Sequence, residues 1–218
     1  MTGPVANSYD YWLLDLDGTV VDVETGYVHD VFDAVGDRIG YDFSQEQAEI
    51  LWHGLGGFRN SQLERWNVDP EAFWTAFHDI EDGEVRADHA YVYPDAERFA
   101  GYDGPLGLVT HSQPSLANPV LDQLDIRDWF DVVLCCSDET GWKPDPAPVR
   151  TVVDRLGMSE SDRGVLAGDG PQDVGAAWNA GLDGIHVERH GPDRRGMCVL
   201  GDHRVASFDE LFATRAAD

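Results

Sequence analysis

Asp15-Leu16-Asp17-Gly18-Thr19-Val20 follows Tyr11-Trp12-Leu13-Leu14, an apolar run with the length and bulk of a buried strand. Two carboxylates therefore stand two residues apart where a strand ends and a glycine lets the chain turn. In an open α/β sheet, ligands bind at the carboxyl ends of the strands. Carboxylates paired there repel each other unless they share a proton or recruit a cation. The plainer reading of the same residues is an Asp-Gly turn whose carboxylates cap backbone amides. The rest of the chain decides between the two.

Four further runs have the same buried-strand character: Leu106 to Thr110, Val132 to Cys136, Gly164 to Gly168 and Gly184 to Val187. Helix-like stretches lie among the later runs, at Ser115 to Leu124, Pro146 to Leu156 and Pro171 to Ala180. Ser207 to Thr214 reads as a last short helix. Strand-helix-strand alternation predicts βαβ units, hence an α/β fold with a Rossmann-like parallel sheet. The stretch from Val23 to Val92 breaks this rhythm. It shows helical spacing at Tyr27 to Val35, Gln45 to His53 and Glu71 to Ile80, with Trp52, Trp66, Phe73, Trp74 and Phe77 forming an apolar stripe. It reads as a helical insertion set directly after the Asp15–Asp17 loop. Tyr91-Val92-Tyr93-Pro94-Asp95 returns the chain to the core. The expected division is a core of residues 1–22 and 93–218 around an insertion of 23–92.

Composition narrows the partners. The 218 residues carry 15 basic and 41 acidic side chains, a net charge of −26. Nucleic-acid binding needs a basic face, and anionic membranes repel such a surface. Of the 15 basic residues 14 are arginine, and Lys143 is the only lysine; aspartates outnumber glutamates 29 to 12. This balance resembles that of proteins adapted to concentrated salt, where screening shortens the reach of surface repulsion. Cys135, Cys136 and Cys198 form neither a disulfide framework nor a zinc spacing, and are expected to be buried free thiols. The start lacks a secretory pattern and no apolar run is long enough to span a bilayer, so a soluble cytoplasmic protein is expected. Nothing in the sequence sets an oligomeric state.

Three later strand ends carry chemistry-bearing residues. Val109-Thr110-His111-Ser112 puts a hydroxyl at one, where helix capping is the alternative role. Trp142-Lys143-Pro144-Asp145-Pro146 presents the single lysine before a proline-stiffened turn. Gly168-Asp169-Gly170-Pro171-Gln172-Asp173 ends a strand on one aspartate and adds a second four residues on, which a helix dipole would also favour. Taken in order, these segments resemble the haloacid dehalogenase-like hydrolase superfamily: Asp-x-Asp-Gly-Thr, a strand ending in Thr, a Lys-Pro turn, then Gly-Asp-x-x-x-Asp. The resemblance covers nearly the whole chain, and the insertion falls where that family places its cap domain. The layout is similar to that of phosphoglycolate phosphatases.

The resemblance implies a catalytic set. Asp15 would be the nucleophile that forms an aspartyl-phosphate, and Asp17 the acid and base for leaving group and water. Mg²⁺ would be held by Asp15, the Asp17 carbonyl and Asp169, with Asp173 binding it or steering a water. Thr110, Lys143 and the amides at Leu16 and Asp17 would bind the phosphoryl group. Dehalogenases of this fold lack the second acid, so Asp17 points to phosphate-ester hydrolysis; the glycine-rich turn with Arg59 suggests a small phosphorylated metabolite, an acid or a sugar. A phosphomutase uses the same set and stays open, as does a non-catalytic phosphate-binding relative. Arg59, beside the turn His53-Gly54-Leu55-Gly56-Gly57, is a candidate substrate contact or a solvated surface residue. His111 stands where the family often has asparagine, so a loop-capping role competes with substrate binding. The eight histidines make no metal site by spacing.

Overall fold

The structure, a computed structural model, describes residues 4–213. Its sheet is built from β1 (Tyr11–Leu14), β4 (Leu106–Thr110), β5 (Val132–Cys135), β6 (Gly164–Gly168), β7 (Asp183–Val187) and β8 (His203–Val205). The strand order is β5-β4-β1-β6-β7-β8, with every pairing parallel. Strands covered on both faces must be apolar throughout, which is why β1, β4 and β6 read as unbroken hydrophobic runs. Within β1 the pleat sends Trp12 and Leu14 into one core, with Val165, Ala167, Ile185 and Phe208. Tyr11 and Leu13 enter the other, with Val149, Val152 and Leu166. The expected α/β architecture is therefore present, and the five expected strands form within a residue of their limits.

Two short strands, β2 (Val21–Val23) and β3 (Ala90–Val92), pair antiparallel apart from the main sheet. They bracket five helices: α1 (Thr25–Ile39), α2 (Gln45–Trp52), α3 (Arg59–Arg65), α4 (Pro70–Ile80) and α5 (Gly83–Asp88). Local chemistry sets their limits. Ser44 and Gln47 form a capping box at α2, Asp69 caps α4 ahead of Pro70, and Gly40 ends α1 in the left-handed region at φ 75°. The insertion has its own core around Phe32, Phe43, Leu63 and Phe73. It meets the main body where α5 lies on α6 (Pro114–Gln123). A Cβ on Gly83 would stand 2.0 Å from the Ser115 carbonyl oxygen, so only glycine permits this approach.

Helices α7 (Ala147–Arg155) and α8 (Pro171–Ala180) match the expected stretches, and α9 (Gly191–Arg195) and α10 (Asp209–Phe212) follow. The end of the predicted last helix, Thr214, lies outside the described residues. Edge strand β8, unforeseen in the sequence, is only His203-Arg204-Val205, too short and polar to announce itself. The thiol expectation needs correction. Cys136 is buried, but Cys135 lies half-exposed in edge strand β5 and Cys198 is exposed between α9 and β8. Among the described residues no helix is long and apolar enough to cross a membrane.

Candidate active site

Asp15 follows β1, Thr110 ends β4, Lys143 follows β5 and Asp169 follows β6, so all four gather at the carboxyl edge of the sheet. The loop after β1 folds back on itself. The Leu16 carbonyl accepts from the amides of Thr19, Val20 and Val21 at 3.3, 2.8 and 3.0 Å. The amides of Leu16 and Asp17 are not spent on this turn. Gly18 has φ +74°, and a Cβ there would fall 2.9 Å from Asp169 Oδ2, so the turn passes directly against the β6 carboxylate.

Lys143 organises the interior of the site. Its Nζ donates to Asp15 Oδ1 at 2.6 Å and to the Val109 carbonyl at 2.8 Å, and lies 2.6 Å from Asp173 Oδ1. Its side chain is 1% exposed. Burial alone would pull the lysine pKa down; Asp15 and Asp173 outweigh burial and hold it above the ordinary value. Asp173 spends its other oxygen on the Gly170 amide, at 3.0 Å, at the start of α8. Asp173 thus sits in the first turn of α8, where the helix dipole favours an acid, caps the helix start, and also contacts Lys143.

Asp15, Asp169 and Asp173 offer oxygens within 4.8 Å of one another. Burial, and then Asp173, push the Asp169 carboxyl up to about 7. Burial also raises Asp15, against the pull of Lys143. Like charges about 4 Å apart cost on the order of 4 kcal/mol at an effective dielectric near 20. Lys143 and the Arg195 guanidinium, 3.6 Å from Asp169 Oδ2, offset part of that charge. A buried all-oxygen donor set with residual negative charge fits a hard divalent cation.

Asp17 is engaged at both oxygens. Arg86 Nη2 donates to Oδ1 at 2.6 Å, and Ser112 Oγ donates to Oδ2 at 2.5 Å. Arg86 belongs to α5 of the insertion and also donates to Glu81 Oε1 at 2.5 Å. Thr110 is buried, with Oγ1 accepting the Ser112 amide at 3.0 Å. His111 packs edge-on to Trp142, and its Nε2 is buried without a hydrogen-bond partner. Burial, then Lys143, lower its pKa to about 4.

These residues line a cavity of about 620 Å³ that lies between sheet and insertion. Phe32, Trp52, Phe73, Trp74 and Phe77 wall its insertion side. Arg59 lines it too, tethered by Nε to the Leu51 carbonyl at 2.6 Å and by Nη2 to the Trp52 carbonyl at 2.8 Å. The structure thus brings together Asp15, Asp17, Thr110, His111, Lys143, Asp169 and Arg59 around one space. Sequence reasoning missed Arg86 and Arg195, which no motif marks, and the contact of Ser112 with Asp17, for which its hydroxyl beside Thr110 was the available hint.

Pyrophosphatase PpaX of Bacillus velezensis is 28% identical over 176 residues, 78% of each chain. Phosphoglycolate phosphatases of Rhodospirillum rubrum and Escherichia coli are 34% and 32% identical over 126 and 107 residues. Those two alignments span 51% and 42% of the relatives' own lengths. The solved structure of a haloacid dehalogenase-like family hydrolase from Streptococcus pneumoniae superposes with a TM-score of 0.74 at 16% identity, covering 94% of this chain and 97% of the other. The family model for haloacid dehalogenase-like hydrolases matches residues 9–181. That match runs from before Asp15 to beyond Asp173, and the chain belongs to the haloacid dehalogenase-like hydrolase family.

Proposed function

We propose that this protein hydrolyses a phosphate monoester through an aspartyl-phosphate formed on Asp15. The observation that carries the proposal is Lys143 Nζ, 2.6 Å from both Asp15 Oδ1 and Asp173 Oδ1 in a buried site. An ammonium there keeps the Asp15 carboxylate aimed and balances charge as a phosphoryl group approaches. Thr110 and the amides of Leu16 and Asp17 bind phosphoryl oxygens. Asp17 gives a proton to the leaving oxygen and later takes one from the attacking water. Asp15, the Asp17 carbonyl and Asp169 would hold Mg²⁺, with Asp173 as support through Lys143. The ion, when bound, supplies Lewis-acid stabilisation of the phosphoryl charge.

Residues 23–92 act as a cap domain over a core of 1–22 and 93–218. The cap contributes Arg59 as a contact for an anionic leaving group and the aromatic wall for its body. The acidic, lysine-poor surface suits work in concentrated salt.

The test is a Mg²⁺-dependent assay in molar KCl with p-nitrophenyl phosphate, phosphoglycolate, sugar phosphates and pyrophosphate. Pyrophosphate is included because the Bacillus velezensis relative is named a pyrophosphatase. Turnover of at least one ester, abolished by Asp15→Asn, supports the proposal; no turnover of any of them refutes it. In the same panel, Arg59→Ala should raise KM for the preferred substrate; unchanged kinetics would remove Arg59 from the binding site.

A further inference from the structure

Asp22, His53 and His190 are far apart in the sequence and adjacent in the fold. Asp22 lies in β2 at the entrance to the insertion, His53 follows α2 within it, and His190 follows β7 in the main body. One donor atom from each lies within 4.8 Å of the other two. His53 Nδ1 stands 3.9 Å from Asp22 Oδ2, beyond hydrogen-bond reach. The two imidazole centroids are 4.0 Å apart with the rings inclined by 42°. Nε2 of His190 is buried with no hydrogen-bond partner. The Asp22 carboxylate is fixed by two hydrogen bonds: Tyr93 Oη donates to Oδ2 at 2.5 Å, and the Val23 amide to Oδ1 at 2.8 Å.

We infer that Asp22, His53 and His190 form a second metal site, selective for a transition-metal dication such as Zn²⁺. Two imidazoles and one carboxylate are a nitrogen-rich set that Zn²⁺, Co²⁺ and Ni²⁺ prefer and Mg²⁺ does not. Donors around a tetrahedral zinc ion with bonds of about 2.0–2.1 Å lie about 3.3 Å apart. The 3.9 Å between His53 Nδ1 and Asp22 Oδ2 closes to that value with a small movement. The Tyr93 hydroxyl orients the carboxylate ligand, as outer hydrogen bonds do in metal sites. Water from the cavity that His53 borders would complete the coordination.

The site spans the seam between insertion and main body. The Gly56 amide donates to the Arg195 carbonyl at 2.7 Å along that seam, and Arg194 Nη2 meets Glu49 Oε2 at 2.5 Å. A bound ion would cross-link the two parts through His53 and His190 and restrain their relative motion.

The experiment uses the full chain, stripped of metal by chelation and returned to excess Mg²⁺, which occupies the carboxylate cluster. Co²⁺ is titrated while visible absorption is followed, and Zn²⁺ binding is then measured by calorimetry. The expected result is about one equivalent of Co²⁺ with intense visible bands, displaced by Zn²⁺, and a higher melting temperature with Zn²⁺. Asp169→Asn should keep this binding. His190→Ala and His53→Gln should each weaken it by about 100-fold or more, with the metal-free melting temperature confirming that each variant folds. No Co²⁺ or Zn²⁺ bound in excess Mg²⁺ would overturn the inference. So would binding that disappears in Asp169→Asn and survives in both histidine variants.

Discussion

Arg86 and Asp17, 69 residues apart, meet at 2.6 Å, so a helix of the insertion holds the second aspartate of the loop after β1. Arg86 is at the same time the partner of Glu81, whose side chain is 2% exposed. Removing the guanidinium therefore strands a buried carboxylate. Arg86→Met is expected to lower stability by about 3–5 kcal/mol, read by urea unfolding. The pair Arg86→Met with Glu81→Met should recover most of that loss. It should not recover turnover, because Asp17 still lacks the donor that positions it; kcat should stay down by about tenfold or more. Full activity in the double variant would show that Arg86 is structural only.

Lys143→Met removes the only lysine ammonium in the chain from between two buried carboxylates. The expected loss in kcat is about 100-fold or more, comparable with removing a donor from a charge-stabilising site. Substrate turnover within tenfold of the parent would contradict the role assigned to this side chain.

Removing divalent metal should abolish turnover, since Asp15, Asp169 and Asp173 leave uncompensated charge where a phosphate must enter. Excess EDTA should bring activity to background, and added Mg²⁺ should restore it. Asp169→Asn should raise the Mg²⁺ concentration needed for half-maximal rate. Undiminished hydrolysis in EDTA would refute the mechanism.

His111 gives a signed pH dependence. Its folded pKa is about 4 against an ordinary 6.5, because burial and Lys143 disfavour the charged ring. Below pH 6.5 the unfolded chain takes up the proton first. The contribution of His111 to stability is therefore complete above pH 6.5 and is lost as pH falls towards 4. Asp169, raised to about 7, works in the opposite direction over the same range. The informative comparison is thus between parent and His111→Asn. Between pH 7.5 and 5 the unfolding midpoint of the parent should fall by more than that of the variant. Parallel pH profiles would contradict the burial argument.

A net charge of −26 predicts a salt response. Between 0.1 M and 1 M salt the Debye length drops from about 10 Å to about 3 Å. The thermal midpoint should rise accordingly in molar KCl. An equal or lower midpoint there would remove the case for adaptation to high salt.

The parts legible in the sequence were those fixed by local physics. A strand buried on both faces has to be apolar, so β1, β4 and β6 stood out, and with them the strand-end positions of Asp15, Thr110 and Asp169. Lys143 drew notice through rarity. Arg86 and the grouping of His53 with His190 were invisible because each depends on how the insertion docks, and Arg195 because it reaches Asp169 from α9 across the main body; no periodicity encodes either. Helices α3 and α5, of 7 and 6 residues, are too short for a periodic pattern to register. Strand β8 lies at the sheet edge, where an exposed arginine costs nothing.

The burial of Lys143 also makes the protein its own reporter. Amine-directed reagents can find only one ε-amino group in this chain, and it is 1% exposed at the centre of the site. Any acylation beyond the N-terminus therefore records an opening of the active site, at single-residue resolution and without an engineered label.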